Sequence, residues 1–147
     1  MTASATHLFR RTTTLAELNA LSRDTAMVPL GIVFSEIGPD YLRATMPVDA
    51  RTRQPLGILH GGISVLLAET LGSCGAACAS PPGHRALGLD INANHLRSVT
   101  EGWVTGIARP VHTGRTTHVW QIELTDDKGR LTCVSRITMA ILAPAAG

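Results

Sequence analysis

The feature that most constrains this chain is a long apolar run between residues 61 and 80. It begins at His60-Gly61-Gly62 and stops before Pro81-Pro82-Gly83, with Ser64, Glu69, Thr70 and Ser73 as its polar interruptions. Placed on a helix, its apolar residues cover nearly every side: Ile63, Val65, Leu66, Leu67, Ala68, Leu71, Ala76 and Ala77. A helix that is apolar all round must be covered on all sides. The polar interruptions favour a buried core helix over a membrane span.

Strand-like segments lie on both sides of this helix in the sequence. Two precede it, residues 32–37 and 41–48, and the turn signal Gly38-Pro39-Asp40 between them indicates a hairpin. Four follow it, at residues 86–98, 102–112, 116–125 and 131–142. The connections between these four are short, which favours an antiparallel meander.

Together these segments predict an α+β fold. In this hypothesis an antiparallel sheet of about six strands wraps around one long central helix inserted after the second strand. A short N-terminal helix is predicted from residue 14 onward, since Leu15, Leu18 and Leu21 have helical spacing and Thr14 can form a capping box with Glu17. We expect residues 1–13 to be a flexible tail and residues 14–143 to form a single domain, a normal size for one core.

Composition excludes several classes of function. The net charge is +2 and no run of Lys or Arg exceeds two residues, so nucleic acid is not an expected partner. The first residues lack the apolar run of a signal peptide, so we expect a cytoplasmic protein that does not enter a membrane. Cys74, Cys78 and Cys133 cannot all pair and do not have zinc-site spacing. We expect them to be reduced and buried, with no metal bound.

Glu69 is the residue of the central helix that most needs an explanation. An ionised carboxylate is costly to bury unless a charge, hydrogen bonds or a polar cavity compensates it. Gly62, Glu69 and Ser73 fall on one helix face, which predicts the floor of a pocket. The alternative is structural, because a helical glutamate commonly pairs with an arginine or reaches solvent at the helix edge.

The start of the helix offers a complementary group. Backbone N–H groups at His60-Gly61-Gly62 have no side chains to shield them, and such groups suit an oxyanion or a polarised carbonyl oxygen. A carboxylate two turns away could then attack that carbonyl or deprotonate water beside it. The glycines could equally form a tight entry turn that needs unusual φ angles, and His60 could be a cap or a core residue. No one of these residues is diagnostic alone.

The combined spacing resembles a known family. Gln54, His60-Gly61-Gly62, Glu69 and Ser73 are spaced as in hot-dog-fold thioesterases of the 4-hydroxybenzoyl-CoA thioesterase class, most closely the bacterial 1,4-dihydroxy-2-naphthoyl-CoA hydrolases. Further segments also look like that group: residues 46–49, 51–55, 91–95, 119–123 and 128–131. The resemblance therefore covers nearly the whole chain, from about residue 14 to residue 142.

The resemblance implies hydrolysis of an aromatic acyl-CoA, with no cofactor. By it, Glu69 would be the nucleophile or the general base, and the Gly61 N–H would bind the thioester oxygen. His60 and Gln54 would hold the thioester, and Ser73 would position water or the acyl group. The resemblance also implies a homotetramer, a dimer of dimers whose sheets join edge to edge, with each active site at a dimer interface.

The CoA-binding residues implied by the resemblance lie at the helix start, on the third strand and after the fourth. They are Gly62, His95, Arg97, Ser98, Arg109, His112, Thr113, Gly114 and Arg115. Arginines and backbone amides suit phosphate groups, although each arginine taken singly could be a solvated strand-edge charge. Trp103 and Trp120 could line an acyl pocket, or they could pack in the core without a functional role.

Other functions remain open beside the aromatic acyl-CoA hydrolase. The chain could be a broad-specificity acyl-CoA thioesterase or a proofreading thioesterase for carrier proteins. A hot-dog dehydratase fits the pattern at Gln54, His60, Glu69 and Ser73 less well than a hydrolase does. A catalytically silent acyl-CoA-binding protein would have no need of Glu69. The likeness to dihydroxynaphthoyl-CoA hydrolases points towards menaquinone synthesis, but the sequence does not specify the acyl group.

Overall fold

The structure is a computed structural model that describes residues 8–145. In chain order its elements are α1 (Leu15–Leu21), β1 (Val33–Ile37), β2 (Leu42–Pro47), α2 (Gly61–Ala79), β3 (Arg85–His95), β4 (Trp103–Thr113), β5 (Thr117–Asp126) and β6 (Leu131–Leu142). The six strands form one antiparallel sheet, and α2 packs across it. The predicted α+β architecture is confirmed, and the predicted element bounds hold to within a few residues.

Helix α1 begins as the sequence predicts. The Thr14 hydroxyl accepts a hydrogen bond from the Glu17 N–H at 3.2 Å, and the Glu17 carboxylate accepts one from the Thr14 N–H at 2.8 Å. The helix buries Leu18 and is fixed to the sheet by Asn19, whose amide group exchanges two hydrogen bonds with the backbone of Phe34. The predicted capping box is therefore confirmed.

The predicted meander is wrong for its first strand. The strand order is β1-β2-β4-β5-β6-β3, so β4, β5 and β6 form a meander but β3 pairs with β6 at the sheet edge. The segment that joins β3 to β4 is not a hairpin, because it crosses the end of the sheet. The Leu96 N–H donates to Thr132 at one end of this segment, and Gly102 accepts from the Val48 N–H at the other.

Glycines on α2 allow the sheet to approach the helix closely. A Cβ atom at Gly72 would lie 2.5 Å from Cγ2 of Ile137, and one at Gly75 would lie 2.8 Å from the Trp120 ring. Trp120 and Ile137 are fully buried. By length and composition alone α2 could cross a membrane, but half of it is buried inside this fold. It is the core helix of the domain.

One face of α2 is not covered by the chain's own sheet. Val65, Leu66, Glu69, Thr70 and Ser73 are only partly buried, whereas Leu67, Ala68 and Leu71 are fully buried. The expectation that the helix is covered all round is therefore not met within one chain, because the sheet wraps only one side of it. The uncovered face is the one that carries Glu69 and Ser73.

Residues 9–11 of the predicted flexible tail contact the folded domain. Residues 1–7 of the predicted tail lie outside the described residues. The N–H groups of Arg10 and Arg11 donate to the carbonyl of Cys78, and the Arg11 guanidinium donates to carbonyls that follow α2, among them that of Pro81 at 3.2 Å. Phe9 stacks on Trp120 with ring centres 6.5 Å apart. The cationic side chain of Arg11 thus satisfies carbonyl groups at the negative end of the helix.

Candidate active site

The N-terminus of α2 presents a free N–H group. His60 is the N-cap, and its Nδ1 accepts a hydrogen bond from the Gly62 N–H at 2.9 Å. The N–H groups of Ile63 and Ser64 both donate to the carbonyl of His60 at 3.0 Å. Within residues 8–145 the N–H of Gly61 has no acceptor. At the positive end of the helix dipole, this donor suits a carbonyl oxygen that gains negative charge.

Gly61 is needed for space rather than for an unusual backbone angle. Positive φ values occur at other glycines of the chain, but not at Gly61 or Gly62. A Cβ atom at Gly61 would lie 2.9 Å from Nε2 of His95, at the end of β3. The close approach of His95 to the helix start therefore explains this glycine, and the turn-geometry alternative does not.

A cleft of about 310 Å³ opens beside Gly61. It is lined by residues of the loop before α2, of the end of β3 and of the segment after it, including Gln54, Ser64, His95, Arg97 and Ser98. The Gln54 side-chain oxygen accepts a hydrogen bond from the Leu56 N–H at 2.7 Å. That contact leaves the NH₂ group of Gln54 as a donor at the cleft.

Glu69 is a partly buried carboxylate without a charge partner. Within the described part of the chain it forms no ion pair and no hydrogen bond, so pairing with an arginine does not account for it. Its Oε1 atom faces Gly88 on β3, where a Cβ atom would lie 2.7 Å away. One turn further along α2, the Ser73 hydroxyl lies 3.9 Å from Sδ of Met139. Glu69 and Ser73 therefore lie on the same uncovered face, as their spacing predicts.

Glu69 and Gly61 are not neighbours within one chain. They are eight positions apart on the α-helix, a rise of about 12 Å along the axis. Glu69 does not line the cleft that contains Gly61. The expectation that a carbonyl bound at the helix start meets the carboxylate two turns away is therefore not met inside a single chain, because a shared helix face does not remove the axial distance.

Gly62 lies in the first turn of α2, and the other expected CoA-binding residues fall into three groups. His95, Arg97 and Ser98 line the cleft at Gly61. Thr113, Gly114 and Arg115 line a second cavity of about 590 Å³, and a Cβ atom on Gly114 would lie 2.6 Å from Nε2 of His112. Arg109 lies apart from both groups. Its Nη1 atom lies 3.0 Å from Oδ1 of Asp40, and its Cζ atom lies over the Tyr41 ring, 4.5 Å from the ring centre.

The second cavity contains cationic and imidazole groups that the sequence analysis missed. Arg10, His84 and His118 join Arg115 in its wall. His118 is almost fully buried with its Nδ1 unpaired in the described structure, and burial lowers its pKa. Arg10 falls in the predicted tail and His118 in a predicted strand, so no sequence pattern marks either residue as functional. Gly88 does carry a signal, because a glycine inside a strand often marks a close approach.

The site contains no metal-ligand cluster in the part of the chain that the structure describes, where no three His, Cys, Asp or Glu residues are grouped. The cysteines are free in the same region. Burial raises the pKa of Cys74 to about 12 and also raises the pKa values of Cys78 and Cys133. These thiols are therefore protonated at neutral pH and are poor nucleophiles.

Comparison with known proteins gives a consistent result. The model of the thioesterase superfamily matches residues 56–133. The 1,4-dihydroxy-2-naphthoyl-CoA hydrolase of Escherichia coli is 50% identical over 135 residues, which are 92% of this chain and 99% of that protein. The proofreading thioesterase EntH of Cronobacter sakazakii is 47% identical over 135 residues, 92% of this chain and 98% of EntH.

A solved structure agrees over almost the whole fold. The crystal structure of a thioesterase from Haemophilus influenzae superposes with a TM-score of 0.92 at 47% identity, and the match covers 95% of this chain and 97% of that one. The antiparallel sheet around a central helix is therefore the hot-dog fold, as expected from the resemblance.

Proposed function

The chain belongs to the thioesterase superfamily, and we propose that it hydrolyses aromatic acyl-CoA thioesters of the dihydroxynaphthoyl or hydroxybenzoyl type. The products are a free carboxylic acid and CoA. The observation that carries the proposal is a pair of groups on α2 that have no partner among residues 8–145, the N–H of Gly61 and the carboxylate of Glu69. One binds developing negative charge and the other supplies an electron pair.

The proposed mechanism needs only protein groups and water. The thioester oxygen accepts a hydrogen bond from the Gly61 N–H, while His60 and Gln54 hold the thioester. Glu69 removes a proton from water that attacks the carbonyl carbon, or attacks that carbon itself to form an anhydride that water then hydrolyses. The C–S bond breaks, and the CoA sulfur leaves and takes up a proton. Ser73 is suited to orient the water or the acyl group.

The axial distance between Gly61 and Glu69 supports a site built from two chains. Strand β3 lies at the sheet edge, with Leu87 and Leu89 49% and 66% exposed. Such an edge is prepared to pair with another strand. On β3, Gly88 adjoins Glu69 and His95 adjoins Gly61, and each faces the helix side of its own sheet.

Antiparallel pairing of two β3 strands would bring the two halves together. In the register that sets Gly88 opposite the partner subunit's His95, the Cα atoms of the two residues are about 5 Å apart. Glu69 of one chain then meets the Gly61 N–H of the other, and a two-fold axis repeats the site. We extend the proposal to a homotetramer of two such dimers.

CoA binding in the proposal uses both cavities. Arg97 and Ser98 line the first cavity, and Thr113, Gly114 and Arg115 line the second, with His112 next to them in the chain. His95 lines the first cavity beside Gly61, and the proposal also assigns Gly62, in the first turn of α2, to substrate binding. Arginine side chains and backbone amides are suited to the phosphates of CoA. The three free cysteines are compatible with a cytoplasmic enzyme, as the proposal has it.

The acyl group is the least constrained part of the proposal. A relative named for an aromatic acyl-CoA and one named as a proofreading thioesterase have almost the same identity to the chain. A broad-specificity or carrier-protein proofreading thioesterase is therefore the second candidate. A kinetic panel of aromatic CoA, aliphatic CoA and aroyl carrier-protein thioesters separates the two candidates by their kcat/KM values.

The proposed function is tested by measuring released thiol. The wild-type protein should release free CoA from an aromatic acyl-CoA, and Glu69→Ala should lower kcat by about 10²–10⁴-fold, as expected for loss of a general base. Circular dichroism and thermal unfolding check that the variant stays folded. Full activity in the folded Glu69→Ala variant would contradict the assignment of Glu69.

A further inference from the structure

A glycine on the sheet edge lies against the carboxylate of Glu69. Gly88 is on β3, paired with Met139 of β6, directly before an irregularity in the β3–β6 register. An ideal Cβ atom built on Gly88 would lie 2.7 Å from Oε1 and 3.7 Å from Cδ of Glu69. A carbon and an oxygen in contact need more than 3 Å, so no side chain fits here while Glu69 keeps its position.

The backbone does not require glycine at this point. Gly88 does not have a positive φ, so its conformation is open to other residues. The next atom that a Cβ would meet is Cδ1 of Ile137, at an ordinary contact distance of 3.8 Å. The only obstacle to a methyl group among the described residues is therefore the carboxylate of Glu69.

This obstacle is the end of a flexible side chain. A methyl group at position 88 would be accommodated by a new Glu69 rotamer, at little cost to the packed core. The carboxylate would then leave the place in which it faces β3. We propose that Gly88 is a positioning residue, whose missing side chain holds open the place that the Glu69 carboxylate occupies during hydrolysis. This inference rests on the proposed function of Glu69.

The first test is Gly88→Ala. A displacement of the reacting group of about 1 Å can cost on the order of 10²-fold in rate, so we expect kcat to fall 10- to 100-fold. KM should change little, and the midpoint of thermal unfolding should stay near that of the wild type. Asn92→Ala is the matched control, because Asn92 lies on the same edge strand but between Ile91 and Ala93, which pack on the core, and so faces away from Glu69.

The second test removes the steric clash by shortening the side chain of residue 69. In Glu69→Asp the carboxylate is one methylene shorter and no longer reaches the position of the added methyl group. We expect Gly88→Ala to lower kcat much less in the Glu69→Asp background than in the wild type. An equal loss in both backgrounds would overturn the proposal, since Gly88 would then act independently of Glu69. Unchanged kcat in Gly88→Ala alone would overturn it as well.

These outcomes are distinct from failure of the proposed function. If the wild type releases no thiol from any acyl-CoA, the proposed function fails before Gly88 is tested. If Glu69→Ala is inactive and Gly88→Ala is fully active, only the role of Gly88 fails. A crystal structure of Gly88→Ala gives a readout without substrate, and it should show Glu69 in a different rotamer from that in the wild type. An unchanged rotamer would count against the proposal.

Discussion

Nδ1 of His60 accepts a hydrogen bond from the N–H of Gly62, at 2.9 Å. An imidazole nitrogen that accepts carries no proton, so the proton of a neutral His60 is on Nε2. The ring therefore has two separate duties in the proposed site. Nδ1 accepts from the Gly62 N–H, so the Gly61 N–H still has no acceptor in the described part of the chain. Nε2 is available as a donor to the thioester.

These two duties can be separated by substitution. In His60→Asn the shorter side chain still accepts from the helix N–H groups, because Asn is a good N-cap, but the Nε2 donor is lost. We expect His60→Asn to unfold near the wild-type temperature while kcat/KM falls. His60→Ala should lose activity and in addition about 1 kcal/mol of stability. Thermal unfolding and thiol-release kinetics on the same samples provide the check, and equal unfolding of the two variants would contradict the capping role.

A two-chain site predicts complementation between inactive variants. Glu69→Ala removes the carboxylate, and Gln54→Ala alters the cleft beside Gly61, which in the proposal belongs to the other chain of each site. A mixed dimer then contains one site with neither substitution. Random pairing of co-expressed variants should restore roughly a quarter of the wild-type activity. Differently tagged chains allow the mixed dimer to be purified. An inactive mixed dimer would indicate that Glu69 and Gln54 of each site come from the same chain.

The cysteines should not interfere with a thiol-release assay. Burial raises the pKa of Cys74 to about 12 and raises those of Cys78 and Cys133, so little thiolate is present near neutral pH. We expect the native protein to react slowly with Ellman's reagent and the protein in guanidinium chloride to react rapidly. The two titrations, without substrate, test this directly. Rapid reaction of the native protein would show that at least one thiol is more accessible than the structure indicates.

Local signals in the sequence predicted much of this fold. Thr14 and Glu17 sit three residues apart and form the capping box, and the apolar run from residue 61 ends with α2 at Ala79. Such features depend on neighbours in the chain. The pairing of β3 with β6 was missed, because strand pairing depends on distant partners, and short connections alone do not reveal a segment that crosses the end of a sheet.

The candidate site was predicted in part for the same reason. Helical periodicity places Glu69 and Ser73 on one face, and the structure has them there. Sharing a face is not enough for contact, because each helical residue also advances about 1.5 Å along the axis, so the eight positions between Gly61 and Glu69 keep the two groups apart within one chain. Arg109 matched a CoA-binding position by resemblance, but its contact with Asp40 connects residues far apart in the chain. No local pattern reveals that contact.

The turn between β5 and β6 should make stability depend on pH. Asp126 accepts from the N–H groups of Lys128 and Arg130 and from the guanidinium of Arg130, and chiefly this guanidinium contact lowers its pKa. A lowered carboxyl pKa contributes stability above the ordinary carboxyl value, and the contribution disappears as pH falls through the lowered value. Asp126→Asn should therefore be less stable than the wild type at neutral pH, and the difference should vanish in acid. Denaturant unfolding across this range checks the sign, which a constant difference would contradict.

Arg97 and Arg109 provide the sharpest test of where CoA binds. Both are basic and both were expected to bind CoA, but Arg97 lines the cleft at Gly61 while Arg109 pairs with Asp40 and covers Tyr41. A hydrogen bond to a charged group contributes about 1.5–3 kcal/mol, so Arg97→Ala should raise KM at least about 10-fold with little change in kcat. Arg109→Ala removes the same charge from a different place and should leave KM unchanged. If KM rises for Arg109→Ala and not for Arg97→Ala, the CoA phosphates bind at the surface around Tyr41 and not in the cleft. Steady-state kinetics with one aromatic acyl-CoA at fixed ionic strength distinguishes these results, because the two variants have the same net charge.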